Sequence, residues 1–338
     1  MKSTTIARVT LAPREVLEAI ERQRVKADAS AVASREREHT KAHATAAPTD
    51  HSASRLDPKV SARVAARVVL RDEFALVRAG IASATDENLS IADRLAGIHR
   101  ARRGLKRLHA LRDLLRAGFP RGQGAARTAI RRAKERLAET RQRDALALLL
   151  EELCALRSHP LTSTSAHQIA ALQVAPQSQP VRDVLADLSV AERSMRLPSG
   201  APIDWHEITA QLATTWGRAR IAARQQWLGR TESWMHETRK QYQRLGDQLE
   251  ALALCATPSQ LVARKRLRVA AAQLGRARDL GMLAEMIDRS SPEGRAVANR
   301  AVKLRSRAVR VARDTSRRAL VATKLQTARA MTQRISRA

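Results

Sequence analysis

The chain has 338 residues, with 62 Lys+Arg against 33 Asp+Glu and a formal net charge of +29. Two cysteines exclude a disulfide framework, and no apolar run approaches the roughly 18 residues that a membrane-spanning helix needs. Aromatics make up 2% and Ala and Leu dominate a 44% hydrophobic share, so helix formers prevail and the predicted class is all-α.

Residues 13 to 47 read as a charged helix that begins at Pro13 and fades in "EHTKAHATAAPTDHSAS". That stretch is poor in large apolar residues, so residues 1–57 are expected to be a loosely attached extension, helical or in part disordered. A helix is predicted from Pro58 in "DPKVSARVAARVVLRDEFALVRAG". A second contains "IHRARRGLKRLHALRD" and stops near Gly118 and Pro120. A third runs through "AARTAIRRAKERLAETRQRDALALLLEELCALR" to His159-Pro160. Residues 159–202 mix short helical pieces with prolines and polar breaks. Long helices resume from Ile203, and the segment from Pro292 reads as one basic helix to the C-terminus. Trp205, Trp216, Trp227 and Trp234 are spaced 11, 11 and 7 apart, nearly one helical face. They are read as core.

The second helix carries the clearest chemical signal. At about 100° per residue, His99, Arg102, Arg103, Lys106 and Arg107 fall on one face, with Ile98, Leu105, Leu108, Leu111 and Leu115 roughly opposite. Shifting the sequence by 137 residues lays His99 on His236, Arg102 on Arg239, Arg103 on Lys240 and Arg107 on Arg244. The same offset, without a gap, pairs Arg127 with Arg264, Arg131 with Arg268, Leu137 with Leu274 and Arg141 with Arg278. On the following helix of each unit, Arg127, Arg131, Lys134 and Arg141 share a face, as do Arg264, Arg268 and Arg278. One offset holding over two helices reads as an internal duplication, and four cationic faces around a pseudo-two-fold axis would line one groove.

An excess of charge this large repels itself in a compact state, which points to a polyanionic partner: inorganic polyphosphate, nucleic acid or an anionic membrane. No amphipathic anchor supports the membrane, and neither membrane insertion nor an N-terminal signal is expected; the cytoplasm is the predicted location. Scarce aromatics argue against stacking on single strands, so duplex DNA is the rival polymer. His99 and His236 leave two roles open, direct contact with an anion or a structural hydrogen bond. No His/Asp/Glu set stands at metal-ligand spacing. Cys154 and Cys255 read as small buried apolar residues. "RGQGAAR" lacks the Lys-Ser/Thr of a phosphate-binding loop and reads as a turn. No acid pair or nucleophile–base set stands out, so neither catalysis nor a cofactor is expected.

These motifs resemble the conserved histidine α-helical domain, or CHAD domain, family. Its pattern is His-x-x-Arg-φ-x-x-(Lys/Arg)-Arg-φ, where φ is apolar. A second helix carries a basic residue and Leu-Gly-x-x-Arg-Asp-x-x-x-Leu, and the whole occurs twice. Here the copies are "IHRARRGLKRL" with "LAETRQRDAL" and "MHETRKQYQRL" with "LGRARDLGML". Arg103 and Lys240 stand where an apolar residue is common, Gln142 replaces an Asp, and Gln243 replaces a basic residue. The resemblance covers residues 58–338, divided into repeat 1 (58–197) and repeat 2 (198–338). It implies two four-helix bundles related by a pseudo-two-fold axis around a basic central cavity that binds inorganic polyphosphate, and association with polyphosphate granules. The expected ligands are the sixteen His, Lys and Arg residues named above, from His99 to Arg278; Asp279 reads as orienting Arg278 or capping a neighbouring helix, and Asp144 as doing the same for Arg141. Some family members are fused to a triphosphate-tunnel enzyme; Glu36, Glu38 and Lys41 do not match its Glu-x-Glu-x-Lys signature.

Overall fold

The computed structural model describes residues 54–155, 178–198, 200, 203–225, 232–287, 289–322 and 324–337. Among these residues it is all-α. The helices are α1 (Ala62–Thr85), α2 (Ile91–Leu114), α3 (Gln123–Arg136), α4 (Ala138–Ala155), α5 (Ser178–Ser194), α6 (Trp205–Gln225), α7 (Glu232–Ala251), α8 (Pro258–Met286), α9 (Pro292–Ala319) and α10 (Lys324–Ile335), with a 3-10 turn at Arg116–Gly118. Start signals in the sequence act where hydroxyl caps relieve unpaired backbone N–H groups. Ser61, Ser90 and Ser291 accept from Val64, Asp93 and Gly294 N–H. Thr257 forms a capping box with Gln260 ahead of Pro258, and proline in the first turn costs the helix no hydrogen bond.

Helix α2 lies at the centre of the fold. It touches α1, α3, α4, α6 and α7, while α7 also packs on α6 and α8. The α1–α2 contact is backbone against backbone: a Cβ on Gly97 would lie 2.8 Å from the Gly80 carbonyl oxygen, and one on Gly80 only 2.7 Å from Ala101 N. Either alanine would force the helices apart. A main core runs from Leu56 to Met331, and a smaller one joins Leu146, Leu150 and Leu153 of α4 to Leu280 and Leu283 of α8 and Ala298 and Ala301 of α9.

Several expectations shift. The first helix begins at Ala62, not Pro58. Leu56 is fully buried and its N–H donates to Ala251 O at 2.7 Å, so residues 54–57 are packed. The third predicted helix is two, α3 and α4, meeting at Leu137, which is itself fully buried. The basic C-terminal helix is also interrupted. α9 ends at Ala319, the Trp216 indole N–H donates to Ala322 O at 3.0 Å, and α10 packs on α6. Met331 is thereby fully buried, whereas continuing α9 straight would carry its apolar side chain away from α6; burying one such side chain contributes about 1.5–3 kcal/mol.

Trp216 is core, and Trp205 and Trp234 pack against it; Trp227 lies outside the described residues. Cys255 is a free thiol that is buried, and burial pushes its pKa up to about 11. The side chain of Cys154, residues 13–47 and the Glu36/Glu38/Lys41 group also lie outside the described residues. "RGQGAAR" forms the turn into α3, where Gly122 precedes Gln123. No described helix is long and apolar enough to cross a membrane.

Candidate functional site

Because α2 is surrounded on most sides, its open strip is narrower than the helical wheel suggests. His99 and Arg103 are exposed, and Arg102, Lys106, His109 and Asp113 are half-buried. Arg107, expected on the outward strip, is buried instead: its guanidinium lies 2.8 Å from Glu73 of α1, with side chains 6% and 0% exposed. One hundred and forty degrees round the helix from Arg102, position 107 faces α1.

The other cations separate into two groups. One sits where α2, α3 and α7 meet. Arg102 donates to the Lys134 carbonyl at 2.7 Å, which the end of α3 leaves without an i+4 partner. Arg244 of α7 reaches across to Asp113 of α2 at 2.9 Å, and Arg112 binds the same carboxylate. Lys134 is depressed to about 8 by burial first and then by Lys240, Arg244, Arg102 and Arg112. His109 is held to about 3 by burial, Lys134 and Arg112, against the pull of Asp113. Lys240 lies 3.6 Å from Glu237. It links this group to His236, whose pKa is lowered by burial and by Lys240, Arg278 and Arg239. The Arg239 guanidinium lies over Gly275, within 2.8 Å of where a Cβ would stand. At least eight cationic or imidazole groups thus converge around two carboxylates, Asp113 and Glu237.

The second group lies toward α1 and the start of α8. Asp247 is raised to about 6 by burial, against the opposing pull of Arg107, Arg268, Lys106 and Arg103. Glu73 rises to about 7 through burial, which outweighs the opposing pull of Arg107. Arg264 and Arg268 both close on buried Glu250, the latter at 3.0 Å, with Arg55 at 3.7 Å. Here carboxylates engage the arginines. Arg127 and Arg131 stand on the solvent side of α3, where Arg131 pairs loosely with Glu135 at 3.7 Å. The side chains of Arg141 and Asp144 lie outside the described residues.

Sequence reasoning missed His109, Arg112 and Asp113. His109 and Asp113 follow Arg102 and Lys106 at i+7 and i+11 of Arg102, the same helical strip, and that spacing could have found them. Arg112 could not be found this way: it sits on the flank of α2, 6% exposed, and only Asp113 turns it toward the group. Among the described residues no three His, Cys, Asp or Glu side chains gather as a metal site would require.

The domain is all-helical and packs cations from three helices around few acids, a charge distribution that favours anions. The family model of the CHAD domain matches residues 83–263, more than half of the chain, and the protein belongs to that family. The match runs from the last turn of α1 into the second turn of α8, so Arg264, Arg268 and Arg278 lie beyond it. CHAD domains are in general polyphosphate-binding and non-catalytic. No curated relative and no solved structure matches the chain.

Proposed function

We propose that this protein binds inorganic polyphosphate, without transforming it, through the cation group at the meeting of α2, α3 and α7. The observation that supports this most is the gathering of cations around half-buried Lys134, whose pKa is lowered to about 8 by burial first and then by Lys240, Arg244, Arg102 and Arg112. Such mutual repulsion disfavours the empty group and is relieved by an anion. Guanidinium groups take two phosphate oxygens through parallel charge-assisted hydrogen bonds, and the lysines act as point charges. Asp113 holds Arg112 and Arg244 in place until phosphate oxygens compete for them.

In this reading residues 58–197 and 198–338 are the two copies of a duplicated unit about a pseudo-two-fold axis, following an extension at 1–57. Arg127, Arg131, Arg264, Arg268 and Arg278 extend the basic surface around a central cavity along which a polymer could run, and His99 and His236 flank its mouth. Association with polyphosphate granules in the cytoplasm follows from that binding. Duplex DNA on the exposed cations of α9 is the rival outcome.

Calorimetric titration with long-chain polyphosphate at physiological salt, beside duplex DNA of matched charge, tests the proposal. Changing Arg102, Lys134, Lys240 and Arg244 together to Gln is expected to abolish polyphosphate binding. By analogy with nucleic acids, each lost phosphate contact lowers the salt slope by roughly 0.7–0.9. Equal binding of both polymers, unchanged in this variant, overturns it. Time-dependent phosphate release with Mg²⁺ would overturn the non-catalytic part.

A further inference from the structure

A separate cavity of about 280 Å³ opens between the C-terminal ends of α6 and α9, lined by Arg220, Ala223, Arg224, Arg317 and Leu320. It is not part of the central group. The charge of Arg218 is felt at Arg244, and Arg220, two residues on, points about 200° away from Arg218 round α6. Leu320 is held beside α6 because the Trp216 indole ties down Ala322.

We infer that this cavity is a second anion site, which takes a single phosphoryl group or a compact diphosphate. Three guanidinium groups line it with no carboxylate on its wall. Arg220 and Arg224 are one turn apart on one helix, a like-charged spacing that is unfavourable by itself, and neither has an ion-pair partner among the described residues. Arg224 and Arg317 stand in the last turns of their helices, where cations complement the negative helix end. That accounts for two of the three and leaves the cavity between them unexplained.

The floor, Ala223 and Leu320, is small and apolar and offers no competing acceptor side chain. The volume falls just below the roughly 300 Å³ at which drug-sized sites begin, and no aromatic side chain lines it to stack a base. Guanidinium forks match tetrahedral oxyanions bidentately. A small phosphate fits this chemistry, and a nucleoside does not. The site does not depend on the central group binding polyphosphate.

The test titrates pyrophosphate calorimetrically into the full chain at physiological salt. R220Q/R224Q is expected to weaken it about tenfold or more, given the strength of hydrogen bonds between charged groups. The central variant changed at Arg102, Lys134, Lys240 and Arg244 should retain this binding within about twofold. R220K/R224K keeps the charge but loses the forks, and should weaken binding too. Tripolyphosphate and orthophosphate distinguish the sources: a chain-end site prefers the former, a free-phosphate site takes orthophosphate equally well. Unchanged pyrophosphate affinity in R220Q/R224Q, or equal loss in the central variant, overturns the inference. So does full retention in R220K/R224K, which would reduce the site to a general field.

Discussion

Helices α2 and α7 carry matching cations at most positions of one offset, yet they use them differently. Arg107 turns inward to Glu73 of α1, while Arg244 at the corresponding position crosses to Asp113 of α2. Asp113 and Glu250 also correspond. Asp113 gathers Arg112 and Arg244 into the open group, whereas Glu250 draws Arg264, Arg268 and Arg55 onto itself. Arg127 and Arg131 on α3 face solvent, whereas of the arginines at the same offset Arg264 is drawn in and exposed Arg268 reaches Glu250. The arginines alone do not mark a binding face. The few carboxylates among them decide which cations are spent on structure and which remain available to a ligand.

The sharpest way to break this contrast is at Arg107. Glu73→Leu strands a buried guanidinium that cannot give up its proton, and should cost about 3–5 kcal/mol in urea denaturation. Arg107→Leu should cost less, about 1–3 kcal/mol, because Glu73 with a pKa near 7 can become neutral. It should leave polyphosphate binding intact; loss of binding in a folded Arg107→Leu protein would place Arg107 in the site after all. The pH dependence has a definite sign. Glu73 is raised from 4.5 to about 7 on folding, so its contribution is fully present below about pH 4.5 and is lost as pH rises through about 7. Asp247 acts in the same direction between 3.8 and about 6. The difference in urea midpoint between the native chain and Glu73→Gln should therefore shift in favour of the variant between about pH 5 and about pH 7.5, the span of the unfolded and folded titrations. A constant difference would mean that Glu73 keeps an ordinary pKa.

Lys134 sharpens the contrast from the other side. Its folded pKa is near 8, and a bound polyanion favours the charged form, so binding should take up as much as one proton. Affinity should fall as pH climbs through about 8, by at most tenfold per unit. Titrations in buffers of different ionisation enthalpy measure that uptake, and Lys134→Met should abolish it. A proton count unchanged by the substitution would remove Lys134 from contact with the ligand.

The smallest effect is expected at Gly275. Alanine there would gain up to about 1 kcal/mol of helix stability. Its Cβ would also displace the Arg239 guanidinium, the flexible end of a long side chain, and weaken polyphosphate binding a few-fold. At the same 137-residue offset stands Ala138, at the break between α3 and α4, where Arg102 instead reaches the Lys134 carbonyl. Ala138→Gly should leave affinity unchanged. Stabilisation in Gly275→Ala without any loss of affinity would detach Arg239 from the site.

The sequence by itself determined the helical class, the start at Pro292 and the two basic helices, because these depend on local features: proline at a first turn and apolar spacing along each helix. It also located Arg102, Lys134, Lys240 and Arg244, since a cationic strip at 3.6-residue spacing is legible before folding. Only the tertiary structure decided that Arg107 is interior, that Arg112 joins the group, and that the basic C-terminal helix turns back after Ala319. Those outcomes depend on neighbours distant in the chain. Glu73 lies 34 positions from Arg107 and Asp113 lies 131 from Arg244, and which cation meets which acid is set by helix packing, to which local periodicity is blind.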